Sequence, residues 1–133
     1  MKSFSRLIFL FCATVGLAGA AGFALARDTA PMINNFPVIL AADLPKEGRE
    51  TLALIRKGGP YPYSKDGSVF SNRERILPKQ PRGYYHEFTV KTPRSRDRGA
   101  RRIICGGYAG KSQALEACYY TDDHYASFKK IKE

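Results

Sequence analysis

Residues 83–90, GYYHEFTV, alternate with a period of two: Tyr84, His86, Phe88 and Val90 fall on one side, and Tyr85, Glu87 and Thr89 on the other. Aromatic and β-branched side chains suit a pleated, half-buried surface, so the stretch predicts a strand at about 84–91. Its oddity is Glu87, a carboxylate in the middle of that strand with a histidine beside it. Downstream, Arg94, Arg96, Arg98, Arg101 and Arg102 crowd into the next turn and the start of the following segment.

Working outward, TPRSRDRG (92–99) reads as a turn, and ARRIICG predicts a strand at about 100–106. A Gly-rich connection leads to a strand at about 118–122 in CYYTDD, and YASFKKI at about 125–131 closes the set. Upstream, GGPYPYSKDGSVFSNRERILPKQPRG is dense in turn residues and leaves room for one short strand near Ser68–Ser71. DLPKEGRETLALIRKGG carries helix signals. Asp43 can cap, Pro45 suits the first turn, and Glu47 faces the positive end of the dipole. Leu44, Leu52 and Ile55 form an apolar stripe, Arg56 and Lys57 suit the negative end, and Gly58 stops the helix. One helix at about 45–57 followed by a run of strands predicts an α+β fold, a helix packed on a twisted antiparallel sheet.

The chain has 133 residues and a formal charge of +10, room for one folded domain. Its first 26 residues, MKSFSRLIFLFCATVGLAGAAGFALA, begin with Lys2 and Arg6, run through an apolar core and end in Ala24-Leu25-Ala26. That pattern predicts a secretory signal cleaved after Ala26, and hence a secreted protein, extracellular or periplasmic. A retained membrane anchor is the competing reading, because the apolar run approaches spanning length. Cleavage takes away two basic residues and no acidic one, so the remainder stays strongly basic. Such a balance suits a polyanion, an acidic membrane surface or an acidic partner. Residues 27–42 hold two prolines and no helical period until Val38-Ile39-Leu40, so a loose start is expected before a domain over 43–133.

Cys105 and Cys118 are the two cysteines beyond the leader. In an exported chain such a pair predicts a disulfide closing the connection between two strands, and two thiols without histidines at ligand spacing do not make a metal site.

His86 and His124 are the chain's histidines. Alone, His124 in YYTDDHYASF reads as a surface turn residue, and Glu87 as the partner of an arginine across the sheet. Together, carboxylate, imidazole and guanidinium suit metal-free cleavage of an RNA phosphodiester. One group takes the 2′-hydroxyl proton, another protonates the leaving oxygen, and arginines hold the phosphoryl oxygens.

GPYPYSKDGSVFSNRERILP, GYYHEFTVKTP, RGARRII and YYTDDHYASF occur in that order and together resemble the guanyl-specific microbial ribonucleases. These are barnase relatives, and the likeness is to the small secreted streptomycete enzymes, from about Leu44 to Ile131. The resemblance implies a short helix on a twisted antiparallel sheet, with the active site on the sheet's concave face. It implies that Glu87 is the general base, that His124 is the general acid, and that Arg98 and Arg102 bind the scissile phosphate, brought to Glu87 by neighbouring strands. For the base it implies a loop of Asn72, Arg73 and Glu74, with the Glu74 carboxylate accepting from guanine N1 and N2, and Tyr125 and Phe70 stacking on the ring. His86 faces away and has no role. The implied activity is a guanyl-preferring endoribonuclease that acts on single-stranded RNA through a 2′,3′-cyclic phosphate, without cofactor or metal. A monomer with no stable membrane association, and an acidic barstar-like protein inhibitor as partner, belong to the same expectation.

The chain departs from the family in places. Leu40 stands near a position where the streptomycete enzymes carry a terminal cysteine, the Gly106–Ala117 connection is longer, and Asp122 replaces a frequent glycine. Two other readings use the same features: a basic RNA-binding module without catalysis, and a ribonuclease toxin deployed against competing cells.

Overall fold

The structure, a computed structural model, describes residues 35–108 and 115–133. The predicted signal (1–26), the start of the loose segment (27–34) and the middle of the cysteine-bounded connection (109–114) lie outside the described residues.

Strand β1 (Val38–Leu40) leads through a single 3₁₀ turn (Ala41–Asp43) into helix α1 (Lys46–Lys57). Strands β2 (Ser68–Val69), β3 (Tyr85–Thr89), β4 (Arg102–Gly106), β5 (Ala117–Thr121) and β6 (Lys129–Lys132) follow. They form one sheet in the order β1-β6-β5-β4-β3-β2.

The α+β class holds, with one correction: the sheet is mixed. β1 runs parallel to β6, with Ile39 opposite Ile131, while every other pairing is antiparallel. Hairpin turns advertise antiparallel neighbours. A pairing between the first and last strands has no turn between them to announce it, and so Val38–Leu40 leaves only the trace of a short apolar run.

α1 begins one residue later than expected, and Asp43 does not cap it. Asp43 lies in the 3₁₀ turn, and Pro45 occupies the cap position with no side-chain acceptor to offer. The Arg49 guanidinium instead donates to the carbonyls of Leu44 (2.6 Å) and Ala42 (3.2 Å). At the other end Gly58 adopts φ 85°, and its N–H and that of Gly59 return to the Leu54 carbonyl at 2.9 and 3.0 Å. This left-handed stop is the one the glycine predicts.

The period-two reading of β3 divides the sheet correctly. Phe88, Val90, Ile103, Cys105, Cys118 and Tyr120 pack with Leu44, Leu52 and Ile55 in the core beneath the helix. Phe88, Ile55 and Ile103 are completely buried; each such side chain stabilises the fold by about 1.5–3 kcal/mol. Thr51 ties helix to sheet, its hydroxyl lying 2.9 Å from the Glu47 carbonyl and 3.2 Å from that of Thr89. A second cluster covers part of the opposite face, where Tyr85, Ile104 and Tyr119 meet Leu77 and Phe128. The remainder of that face carries Glu87, Thr89, Arg102 and Thr121.

Cys105 and Cys118 stand directly opposite in the β4–β5 register and are joined by a disulfide on the helix face. The last strand is shorter than expected, because His124 and Tyr125 take φ 56° and 70°, a left-handed backbone that no strand accommodates. β2 is cut short at Val69 in the same way. Phe70 still donates to the Tyr85 carbonyl at 2.8 Å, but Asn72 at φ 49° then turns the chain out of the sheet.

Candidate active site

On the sheet face away from the helix, a buried polar row closes one end of the strands. Thr89 of β3 is opposite Arg102 of β4, which is opposite Thr121 of β5. The loop between β3 and β4 and the turn after β5 rise at that same end. They are fastened together by the His124 N–H, which donates to the Ala100 carbonyl at 3.2 Å.

Glu87 lies one alternation inside this row, its side chain only 13% exposed. Oε1 accepts from Arg98 Nη2 at 3.1 Å and from Ser68 Oγ at 3.4 Å, and Oε2 accepts from the Tyr125 hydroxyl at 2.6 Å. Arg98 is itself oriented by its Nε, which donates to Thr89 Oγ1 at 3.0 Å. The Arg98 guanidinium therefore presents one fork of donors to two acceptors, Thr89 Oγ1 and Glu87 Oε1, on the same strand face. Arg98 does not arrive on a strand as expected: it sits in the β3–β4 loop, four residues before β4 begins. Gly99 behind it takes φ 61°, and a Cβ there would lie 2.3 Å from Thr92 Oγ1, so the loop requires glycine at this point.

Arg102 is on a strand and is almost completely buried. Its Nη1 donates to the carbonyls of Gly99 (2.9 Å) and Arg101 (2.7 Å), and its guanidinium carbon stands 5.9 Å from the centre of the Tyr125 ring. Its buried Nε finds no partner among the described residues. A guanidinium N–H kept from water and unpaired carries a cost that an oxyanion would relieve.

His124 and Tyr125 share a turn that Asp123 holds. Asp123 Oδ1 accepts from Thr121 Oγ1 (2.8 Å) and from the Ser127 N–H (2.9 Å), and Oδ2 accepts from Ser127 Oγ (2.5 Å). These bonds, that of the Ser127 side chain first, draw its carboxyl down to a pKa of about 2. Thr121 Oγ1 also accepts from the Tyr125 N–H at 3.2 Å. His124 is thus exposed on a fixed backbone, its ring 4.9 Å from that of Tyr125. The Tyr125 hydroxyl is pushed above its ordinary pKa, first by burial and then by its bond to Glu87, so it remains a donor to the carboxylate.

The base-binding candidates surround a cavity of about 180 Å³ beside this cluster, between the 70–76 loop and the Tyr125–Phe128 turn. Phe70, Asn72, Arg73, Glu74 and Tyr125 all line it. The Asn72 side chain clamps the loop, accepting from the Leu77 N–H at 3.1 Å and donating to the Leu77 carbonyl at 2.9 Å. Phe70 and Tyr125, both expected to stack on a base, stack on each other here, with ring centres 5.2 Å apart and planes 25° from parallel. His86 points to the helix side, 5.1 Å from the Tyr108 ring, where burial keeps its pKa low. The residues named from sequence are therefore gathered on one face, and His86 is on the other.

Sequence reasoning missed the supporting groups: Thr89, Ser68 and the Asp123–Thr121 brace, with Ile76 and Phe128 as further walls of the cavity. Thr89 could have been found, since it stands two residues from Glu87 on the same strand face. The bond from the Tyr125 hydroxyl to Glu87 could not, because it depends on two consecutive left-handed residues that no local signal marks.

A family model described as ribonuclease matches residues 27–132. Guanyl-specific ribonuclease St of Saccharopolyspora erythraea is 53% identical over 96 residues, 72% of this chain and 88% of its own. Guanyl-specific ribonuclease Sa of Kitasatospora aureofaciens is 54% identical over 90 residues, 68% of this chain and 88% of its own. Among solved structures, ribonuclease Sa2 in complexes with mononucleotides superposes with a TM-score of 0.66 at 51% identity, covering 74% of this chain and 95% of Sa2. Sa2 with guanosine-2′-cyclophosphate gives 0.63 at 50% identity, covering 73% and 96%. By sequence and by fold, the chain belongs to the guanyl-specific microbial ribonucleases.

Proposed function

We propose that this protein is an endoribonuclease that cleaves single-stranded RNA on the 3′ side of guanosine through a 2′,3′-cyclic phosphate. The observation that carries the reading is the Glu87 carboxylate, sheltered, 3.1 Å from Arg98, and close to a buried arginine with an unpaired donor. Glu87 takes the proton of the guanosine 2′-hydroxyl while that oxygen attacks phosphorus. Arg98 and Arg102 hold the phosphoryl oxygens as negative charge builds on them. The bond from phosphorus to the 5′-oxygen breaks, and His124 supplies the proton that oxygen needs. In the second step the roles reverse, with His124 activating the water that opens the cyclic ester.

Guanine selectivity falls to the cavity of Phe70, Asn72, Arg73, Glu74 and Tyr125. Glu74 accepts from N1–H and the 2-amino group, which adenine does not offer, and main-chain N–H groups of the loop meet O6. An unmet carboxylate is costly, so the wrong base is rejected strongly. Secretion after removal of residues 1–26, action as a monomer and control by an acidic protein inhibitor contacting Arg98, Arg102 and His124 complete the reading. Secretion rests on the leader composition, the inhibitor on the basic balance, and the monomer on the family resemblance.

The test is cleavage of GpC, ApC, CpC and UpC by residues 27–133 in EDTA, beside Glu87→Ala. Rapid loss of GpC alone, abolished in the variant, is the expected result. Intact substrates, or cleavage that EDTA stops, would overturn the mechanism.

A further inference from the structure

A second groove, of about 430 Å³, adjoins the base cavity and shares Phe70, Ser71 and Arg73 with it as a common wall. Its far side is the turn that leads into β3. The Tyr84 N–H donates to the Pro81 carbonyl at 3.1 Å and Gly83 takes φ 87°, which sets Arg82 at the corner of a tight turn. The groove therefore holds two guanidiniums, Arg73 and Arg82, together with the Gln80 amide, and no carboxylate lines it. Among the described residues neither Arg73 nor Arg82 forms an ion pair. Two unpaired arginines across a cleft that contains no acid form a binding site for an anion.

Its position decides which anion. The groove lies against Tyr85, at the end of β3 opposite the Thr89–Arg102–Thr121 row. Tyr85 is two residues from Glu87 and four from Thr89, roughly 7 and 13 Å along the strand. The strand that leaves with the 5′-oxygen must depart past His124, at the Thr89 end, so the groove is not on its path. The groove is reached instead from the base cavity, over the shared wall of Phe70 and Arg73, on the side of that cavity away from the Thr89–Arg102–Thr121 row.

We propose that this groove is a subsite for the nucleotide on the 5′ side of the recognised guanosine. Arg82 and Arg73 take the phosphate that precedes guanosine, and Gln80 and the face of Phe70 meet the base attached to it. The inference rests on the guanosine reading of the neighbouring cavity. Its consequence is that the enzyme reads a stretch of single-stranded RNA and prefers internal guanosines to one at a 5′ end.

The test compares binding of guanosine and of ApG, which carries that preceding phosphate but no scissile bond after G, by calorimetry on wild type, Arg82→Ala and Arg82→Lys. Arg82 is exposed and outside the catalytic cluster, so GpC cleavage by Arg82→Ala should equal wild type and certify its fold. We expect wild type to bind ApG roughly 10-fold more tightly than guanosine, as one charge-assisted contact implies. Arg82→Ala should bring the two within about 2-fold, and Arg82→Lys should retain part of the preference. Equal affinities in wild type, or a preference that survives in Arg82→Ala, would overturn the subsite. Failure of wild type to cleave GpC would count against the catalytic reading alone, because the ApG comparison does not depend on turnover.

Discussion

Replacing Asp123 by alanine removes three hydrogen bonds at once: those from Thr121 Oγ1, the Ser127 N–H and Ser127 Oγ. All three close the turn that displays His124 and Tyr125. Hydrogen bonds to an ionised group contribute about 1.5–3 kcal/mol each when sheltered, but this carboxylate faces solvent, and screening reduces the sum to about 1–2 kcal/mol. The sign of the pH dependence follows from the direction of the shift. The folded carboxyl titrates near 2, below its unfolded value, so its stabilisation is complete above about pH 4 and is lost as pH falls through 2. Urea unfolding of wild type and Asp123→Ala should therefore show a gap of about 1–2 kcal/mol at pH 6 that closes toward pH 2. In GpC cleavage the variant should lose about 10-fold in kcat because the loosened turn misplaces the acid, and KM should rise as well because Tyr125 on the same turn lines the base cavity. A stability gap of the same size at pH 2 and pH 6 would show that the carboxylate charge is not its source. Undiminished kcat would refute the claim that Asp123 positions His124.

Other substitutions separate the parts of the molecule. Cys105→Ala with Cys118→Ala opens the bridged β4–β5 connection and should cost about 3 kcal/mol in urea unfolding; GpC turnover at 25 °C should persist, since the bridge lies on the helix face. Gly99→Ala drives a Cβ against Thr92 in a left-handed backbone, so about 1–3 kcal/mol of stability and most of the GpC activity should go together as Arg98 is displaced. Tyr125→Phe removes the donor to Glu87 Oε2 while keeping the stack on Phe70; we expect the pH–rate profile to change shape on its acidic limb while guanosine binding measured by calorimetry stays within about 2-fold of wild type.

How much of this was legible follows from where the information sits in the chain. The alternation in GYYHEFTV assigns Glu87 to one sheet face and His86, Phe88 and Val90 to the other, because the side-chain period of a strand is fixed by its backbone. The stop of α1 at Gly58 and the pairing of Cys105 with Cys118 were equally readable, the first from backbone freedom and the second from the small number of thiols. The parallel pairing of β1 with β6 was not readable, because the contact joins the first and last strands across nearly all of the described residues. The place of Arg98 in a loop was readable from the turn at 92–99, but its reach from that loop back to Glu87 was not, since it depends on how the loop folds over the sheet. Among the base-site residues, the Asn72 clamp was foreseeable as a turn residue able to take positive φ. The stacking of Phe70 on Tyr125 depends on two loops meeting, which only the assembled structure reveals.

The two faces of the sheet divide the energetic labour. The helix side holds the fully buried Phe88, Ile55 and Ile103 and the disulfide, and contains no ionised group that the chemistry uses. The opposite side ends in loops that contain Asn72, Arg94, His124 and Tyr125, all at positive φ without being glycine. Each left-handed residue of this kind costs roughly 1–2 kcal/mol, and such strain persists only where the surroundings over-determine it. For Asn72 the brace is its own amide on Leu77; for His124 and Tyr125 it is Asp123 and Thr121, aided by the Ala100 carbonyl. Stability drawn from the helix side thus sustains strained, precisely aimed groups on the other. It follows that truncating a core residue such as Phe88 should lower the unfolding midpoint by far more than it lowers turnover in the molecules still folded. Removing a brace should do the reverse, and that contrast is what a sheet with one structural and one chemical face requires.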